Sequence, residues 1–200
     1  MREFQKIFLM VALVLAAAGV EAKTLSIGVS GGVNSSSFSI KGNKSAITNN
    51  MGYQASVALD VQIPMFSISP ELRFVSNSFD IQDASILGSD DASVKIRSTA
   101  IDVPVVLGWT IVGPLKLEVG PRFTIMDKAK AKSGGEKYDV GGVRSNTGYI
   151  LGLKLTIAKK IVVGARFNGQ FANPVTDLNF GGAEYKIRNY SYGLSVGFKM

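Results

Sequence analysis

Ten charged residues occupy alternate positions in segments whose other positions are apolar: Asp60, Glu71, Arg73, Asp102, Lys116, Glu118, Arg122, Lys154, Arg166 and Lys199. In an extended chain successive side chains point to opposite faces, so these charges share a polar face with Gly, Ser and Thr. Opposite charges that meet across paired strands attract. A hairpin centred on Val112 sets Asp102 opposite Arg122, with Glu71 and Arg73 on the neighbouring strand. The set Glu71, Arg73, Asp102, Glu118, Arg122, Lys154 and Arg166 can line a charged constriction or plug a narrow lumen. The plug is favoured, because a barrel of eight strands is only wide enough for its own side chains.

Other chemistry is thinly represented. The chain has no His and no Cys. That removes the usual general base near neutral pH, the commonest metal ligand and every thiol mechanism, and it excludes a histidine-assisted hydrolase. Asp80, Asp83, Asp90 and Asp91 do not follow the spacing of a calcium loop and read as solvated carboxylates. Ser30-Gly31-Gly32 lacks the Gly-Lys-Ser/Thr that a phosphate loop requires. No catalytic residue, cofactor site or metal site is expected. Lys128, Lys130, Lys132 and Lys137 make one polar stretch basic. With a formal net charge of +7, the generic partners are a membrane surface, anionic lipid headgroups or nucleic acid. Nothing interleaves aromatic and basic residues as a nucleic-acid surface would.

The segments that carry these residues number eight, each about ten residues long, and alternate with period two. Leu25, Ile27, Val29 and Val33 oppose Ser26, Gly28, Ser30 and Gly32. Thr99, Ile101, Val103, Val105, Leu107 and Trp109 oppose Ala100, Asp102, Pro104, Val106 and Gly108. The same pattern runs through the segments at 53–61, 66–74, 115–125, 148–157, 161–171 and 190–199. Connections alternate between short (Ile63-Pro64-Met65, Ile111 to Pro114, Ala158-Lys159-Lys160) and long (Asn34 to Asn50, Ser76 to Ser93, Asp127 to Asn146, Asn173 to Lys186). About ten residues is the length that crosses a bilayer as a tilted strand. The expected fold is all-β, an eight-stranded antiparallel transmembrane up-and-down barrel with short turns toward the periplasm.

The N-terminus reads as a targeting segment: a basic start, an apolar run from Ile7 to Val20, then Val20-Glu21-Ala22. This predicts a cleaved signal peptide at 1–22 and a barrel domain at 23–200, in the outer membrane of a Gram-negative-type bacterium. A soluble, lipocalin-like exported barrel that holds a small apolar ligand is the alternative, since alternation alone does not say which face points inward. Two features favour the membrane. The polar face is rich in Gly and Ser, as a narrow interior needs. The apolar face carries Tyr53, Phe66, Trp109, Tyr149, Phe171, Tyr190 and Tyr192 near segment ends, the pattern of an interfacial aromatic girdle. Pro70, Pro104 and Pro121 fall inside strands and predict bulges or displaced strand ends there, because proline cannot donate to a ladder.

Ala100-Ile-Asp-Val-Pro-Val-Val-Leu-Gly-Trp109 resembles the Glu-Ile-Pro-Leu-Leu strand of the small porin-like outer-membrane β-barrel family. Leu117-Glu-Val-Gly-Pro-Arg-Phe123 resembles that family's Glu-Ala-Gly-Pro strand, and Tyr192-Gly-Leu-Ser-Val-Gly-Phe198 is similar to its last strand. The resemblance implies an outer-membrane barrel of porin-like type without a known substrate, and it implies Phe198 as the C-terminal aromatic of the assembly signal, although Lys199 and Met200 follow it here. The function expected is structural, adhesive or narrow-pore, with a salt-bridged lumen and no enzymatic activity. The partners expected are outer-membrane lipid, lipopolysaccharide and the barrel-assembly machinery, with no nucleic acid and a monomeric state.

Overall fold

The computed structural model describes residues 24–40, 47–81, 94–133, 136–141, 147–171, 178–180, 183–185 and 187–200. Its strands are β1 (Thr24–Ile40), β2 (Ile47–Asn49), β3 (Met51–Gln62), β4 (Phe66–Ile81), β5 (Val94–Val112) and β6 (Leu115–Ser133). They continue as β7 (Glu136–Gly141), β8 (Thr147–Ile157), β9 (Ile161–Gln170), β10 (Leu178–Phe180), β11 (Ala183–Tyr185) and β12 (Ile187–Lys199). Eight of them form the wall, in the order β1, β3, β4, β5, β6, β8, β9, β12. Each is antiparallel to its neighbours, and β12 returns to β1 through pairs such as Val29 with Phe198. The wall is therefore a closed antiparallel barrel with no free edge. Strands β2 and β7 extend it at one end, and β10 pairs with β11 in a separate two-stranded sheet.

Period two decides the two faces of this wall. On β12 Tyr192, Leu194 and Val196 are 58–61% exposed, while Ser191 and Gly193, on the opposite face, are buried. Leu72, Leu107 and Leu153 are likewise outward and exposed, while Glu71, Arg73, Glu118 and Arg122 are buried inside. A soluble barrel has the reverse arrangement, and a soluble protein does not expose an apolar surface around its whole circumference. A polar interior and an apolar exterior belong to a barrel solvated by lipid. The lipocalin-like alternative fails on this point: its apolar face would have to line the interior.

Short turns join β3 to β4, β5 to β6 and β8 to β9 at the same end of the barrel. The β5–β6 turn places Gly113 at φ +51° before Pro114. The β8–β9 turn uses no glycine: Ala158 and Lys159 take φ of 49° and 65°, and the Lys160 amide donates to the Ile157 carbonyl at 3.3 Å. Two consecutive residues of positive φ match the right-handed strand twist of a tight hairpin.

The polar stretches differ from the sequence reading. Strand β1 runs on to Ile40, β4 to Ile81, and β6 to Ser133, while β5 already begins at Val94. Much of what reads as long loop is therefore strand. The outward face becomes polar once the wall leaves lipid, so the alternation fades although the ladder continues. The prolines also behave differently from expectation. Pairing lapses at Leu59 and Asp60, opposite Ser69 and Pro70, but resumes in the same register. It lapses likewise at Val105 and Val106, opposite Gly120 and Pro121. The shifts in the β5–β6 ladder lie instead between Ile101 and Asp102 and between Thr110 and Val112. A missing donor interrupts a ladder locally without inserting a residue, whereas a shift needs an extra residue on one strand.

Candidate functional site

The lumen is stacked in layers of side chains. Nearest the short turns, Lys199 Nζ lies 2.9 Å from Asp60 Oδ2, and Ser69 Oγ donates to Asp60 Oδ1 at 2.8 Å. Lys116 Nζ donates to Gln62 Oε1 and to Ser67 Oγ. A cavity of about 60 Å³ opens beside these groups, lined by Asp60, Glu71, Lys116, Lys154, Arg166 and Lys199 with small residues between them. It is too small and too charged for an apolar ligand.

The next layer crosses the whole barrel. Arg166 on β9 donates from Nη1 and Nη2 to the two carboxylate oxygens of Glu71 on β4, each at 2.7 Å. Four places separate these strands in the eight-strand ring, so the guanidinium spans the lumen from wall to wall. Its Nε donates to Glu118 Oε2 at 2.7 Å, and Lys154 Nζ lies 2.5 Å from Glu118 Oε1. Two-pronged pairing of this kind is the strong form of a charge-assisted hydrogen bond. Gly152 makes the approach possible. A Cβ there would meet Arg166 Cγ at 2.7 Å.

Above it Asp102 gathers three donors. Arg73 Nη2 reaches Asp102 Oδ2 at 3.0 Å, and Arg122 Nη1 reaches Oδ1 at 3.2 Å. Thr124 Oγ1 accepts from Arg122 Nη1 at 2.8 Å and donates to Asp102 Oδ1 at 2.8 Å. Asp102 is 0% exposed, Arg122 1% and Arg73 2%. Toward the far end Asn34 donates to Asn77, and Asn168 Nδ2 donates to Ser191 Oγ at 3.2 Å. There the inward positions also turn apolar, with Val75, Phe79, Ile96, Ala100 and Ala129 buried.

The residues expected from the sequence thus all lie inside, but one pairing differs. Asp102 stands opposite Thr124, and Arg122 stands opposite Pro104. The hairpin is centred on Gly113 instead of Val112, with an irregularity near Ile111. A slip by an even number of residues preserves the face, so Arg122 still points inward and its long side chain still reaches Asp102. Thr124, Ser69 and Gln62 complete the layers and are not singled out by the sequence reading. Nothing in a Thr or Ser at alternate strand positions announces a bridging hydroxyl until the register is known.

The aromatic residues expected to form the girdle are outward and gather near strand ends. Phe66 and Trp109 stack at 6.2 Å beside the short turns. Tyr149, Phe171, Tyr190 and Tyr192 cluster at the opposite ends of β8, β9 and β12 around Phe167, which the sequence reading does not include in the girdle. Tyr53 stacks on Phe74 at 6.2 Å. Phe198 is outward beside the short-turn end, with Lys160 Nζ 5.8 Å from its ring centre. Of the acidic loop residues, Asp80 accepts from Asn50 Nδ2 at 3.0 Å, while Asp83, Asp90 and Asp91 lie outside the described residues, as does the segment 1–22. Among the described residues no cluster of three or more His, Cys, Asp or Glu could hold a metal ion.

A closed antiparallel barrel with a charged interior, an apolar belt and aromatic strand ends is an outer-membrane β-barrel. The family model of the outer membrane protein beta-barrel domain matches residues 17–200, and the chain belongs to that family. Among solved structures it is similar to Ail, the attachment invasion locus protein of Yersinia pestis, in a complex with the heparin analogue sucrose octasulfate. That likeness has 15% identity and a TM-score of 0.54, covering 88% of this chain and 99% of Ail. It is also similar to Neisserial surface protein A, with 15% identity and a TM-score of 0.51, covering 89% of this chain and 99% of that one. At such identities the likeness concerns the fold alone. Among curated proteins none matches the sequence.

Proposed function

We propose that this protein is a structural barrel of the outer membrane whose lumen is closed by its own ion pairs, and that it neither conducts solutes nor catalyses a reaction. The observation that carries this reading is the pairing of Arg166 with Glu71 across the full width of the barrel, beside Glu118 and Lys154. The Asp102 layer and the buried apolar positions beyond it add further filled layers to the described part of the lumen. With no His and no Cys in the chain, this interior holds neither an imidazole base nor a thiol. Surface or adhesive contacts then fall to the wall that rises beyond the membrane. Residues 1–22 act as the signal peptide that directs export, and Phe198 serves as the aromatic read by the assembly machinery.

Planar-bilayer recording on the refolded barrel tests this. The expected result is an absence of steady conductance steps. A large, stable conductance would show the lumen to be a working pore and would end the closed-barrel reading. Cell fractionation should recover the mature chain, beginning at Lys23, in the outer membrane. Recovery as a freely soluble periplasmic protein would contradict the location.

A further inference from the structure

Beyond the apolar belt, β5 and β6 become cationic on their outer face. Outward positions on β5 pass from Leu107, Val105, Val103 and Ile101 to Thr99, Arg97 and Lys95. On β6 they pass from Phe123 and Ile125 to Lys128, Lys130 and Lys132. The register shift between Ile101 and Asp102 decides this. It inserts one residue on β6, so Ile125 and Met126 are both outward, and the outward set changes from odd to even numbers. Without that extra residue the three lysines would face the lumen, and Asp127 and Ala129 would face out. As built, Ala129 is fully buried and Ser98 Oγ donates to the inward Asp127 at 3.1 Å.

Register then sets Lys95 directly opposite Lys132, and Arg97 directly opposite Lys130. Like charges at directly opposed positions destabilise paired strands. All five cations are exposed, and among the described residues none has a carboxylate within ion-pair distance. The acids nearest by register are Asp80 opposite Lys95 and Asp139 opposite Lys130, while β7 also brings Lys137 opposite Lys132. A cationic excess remains. From Lys128 to Lys132 it extends about 13 Å along the strand, at about 3.3 Å per residue. The charges begin at the first outward position after Met126 on β6 and at the second after Ile101 on β5. They face sideways from the wall, in the direction from which neighbouring lipids approach, and do not crown the loop tips.

We infer that this outer face of β5 and β6 binds the phosphate groups of lipids packed around the barrel in the outer leaflet, of the phosphorylated glycolipid class. The inference rests on the outer-membrane reading and gives that barrel a specific lipid contact. Phosphates set between Lys95, Lys132, Arg97 and Lys130 would neutralise opposed cations for which the described residues supply no ion pair.

The test uses the full mature barrel and its K128Q/K130Q/K132Q variant, each refolded into phosphatidylcholine vesicles with or without bisphosphorylated lipid A. Retention of lipid A is measured by native mass spectrometry and by fluorescence titration. The unmodified barrel should bind lipid A, and should ignore dephosphorylated lipid A. The variant should bind about a hundredfold more weakly, since each of the three surface cations contributes about a factor of five. The difference should shrink in high salt. In vesicles without lipid A the variant should be at least as heat-resistant as the unmodified barrel, because it relieves opposed like charges. A purely structural role for the lysines would make the variant weaker there, and would overturn the inference. Equal binding of lipid A by both proteins would overturn it as well. So would lysine-dependent binding of soluble heparin without binding of lipid A, which would assign the face to a soluble polyanion. Failure of the unmodified barrel to insert into vesicles at all would instead refute the membrane reading, and the lipid contact with it.

Discussion

Asp102 is the residue on which the upper lumen layer turns. It holds one guanidinium from each neighbouring strand and the hydroxyl of Thr124, and it is fully buried. A buried ion pair contributes little net stability against a well-packed apolar replacement, but removing one partner strands the other. Asp102→Ala should therefore cost about 3–5 kcal/mol, because Arg73 and Arg122 lose their shared carboxylate together. Urea unfolding of the barrel in lipid vesicles measures this, and a cost below about 1 kcal/mol would show that the layer is not held through Asp102. The charges of this layer are legible in the sequence as members of one polar face, since their positions alternate with large apolar ones. Which of them touch is not legible. Thr124 stands opposite Asp102 only because the hairpin turns at Gly113, and a turn displaced by one residue moves every opposed pair by two.

At the scale of the strand, the assignment of faces makes unequal demands on neighbouring positions. Leu153 points outward on β8, and Ser195 points into the lumen on β12 beside the cavity. Leu153→Arg should cost about 2–4 kcal/mol in a lipid bilayer. Ser195→Thr adds one methyl beside open space and should change stability by about 0.5 kcal/mol or less. Equal tolerance at the two positions would reverse the faces. The β8–β9 turn offers a separate check. Lys159 holds φ at +65°, where a side chain costs about 1–2 kcal/mol relative to glycine. Lys159→Gly should accordingly stabilise the barrel by about 1 kcal/mol, less the added flexibility of the unfolded chain, as read from the same urea curves. Loss of stability would mean that the Lys159 side chain contributes more there than its strain removes.

The whole molecule is defined by closure. Strand β1 pairs with both β3 and β12, and Met200 exchanges hydrogen bonds with Ile27 at 2.8 and 3.1 Å. A closed ladder leaves no edge from which unfolding can start. The unheated barrel should consequently migrate faster than the boiled chain on a denaturing gel. Identical migration before and after heating would argue against a closed wall in solution.

The periodicity of the chain by itself determined the eight crossing segments and gathered the charges with Gly and Ser on one face opposite an apolar one, because both follow from a period of two along a single strand, whereas which face points inward does not. The absence of His and Cys by itself removed imidazole and thiol chemistry. Tertiary structure decided what depends on two strands at once. Closure brings Arg166 across the ring to Glu71, residues 95 positions apart in the chain. A single inserted residue on β6 turns Lys128, Lys130 and Lys132 from the lumen to the outer face. Ladder pairing also carries β4, β5 and β6 far past the point where alternation fades, since hydrogen bonding between strands outlasts the apolar pattern that reveals them. No periodicity within one segment encodes the register between two, and the lumen contacts and the outer cationic face both depend on that register.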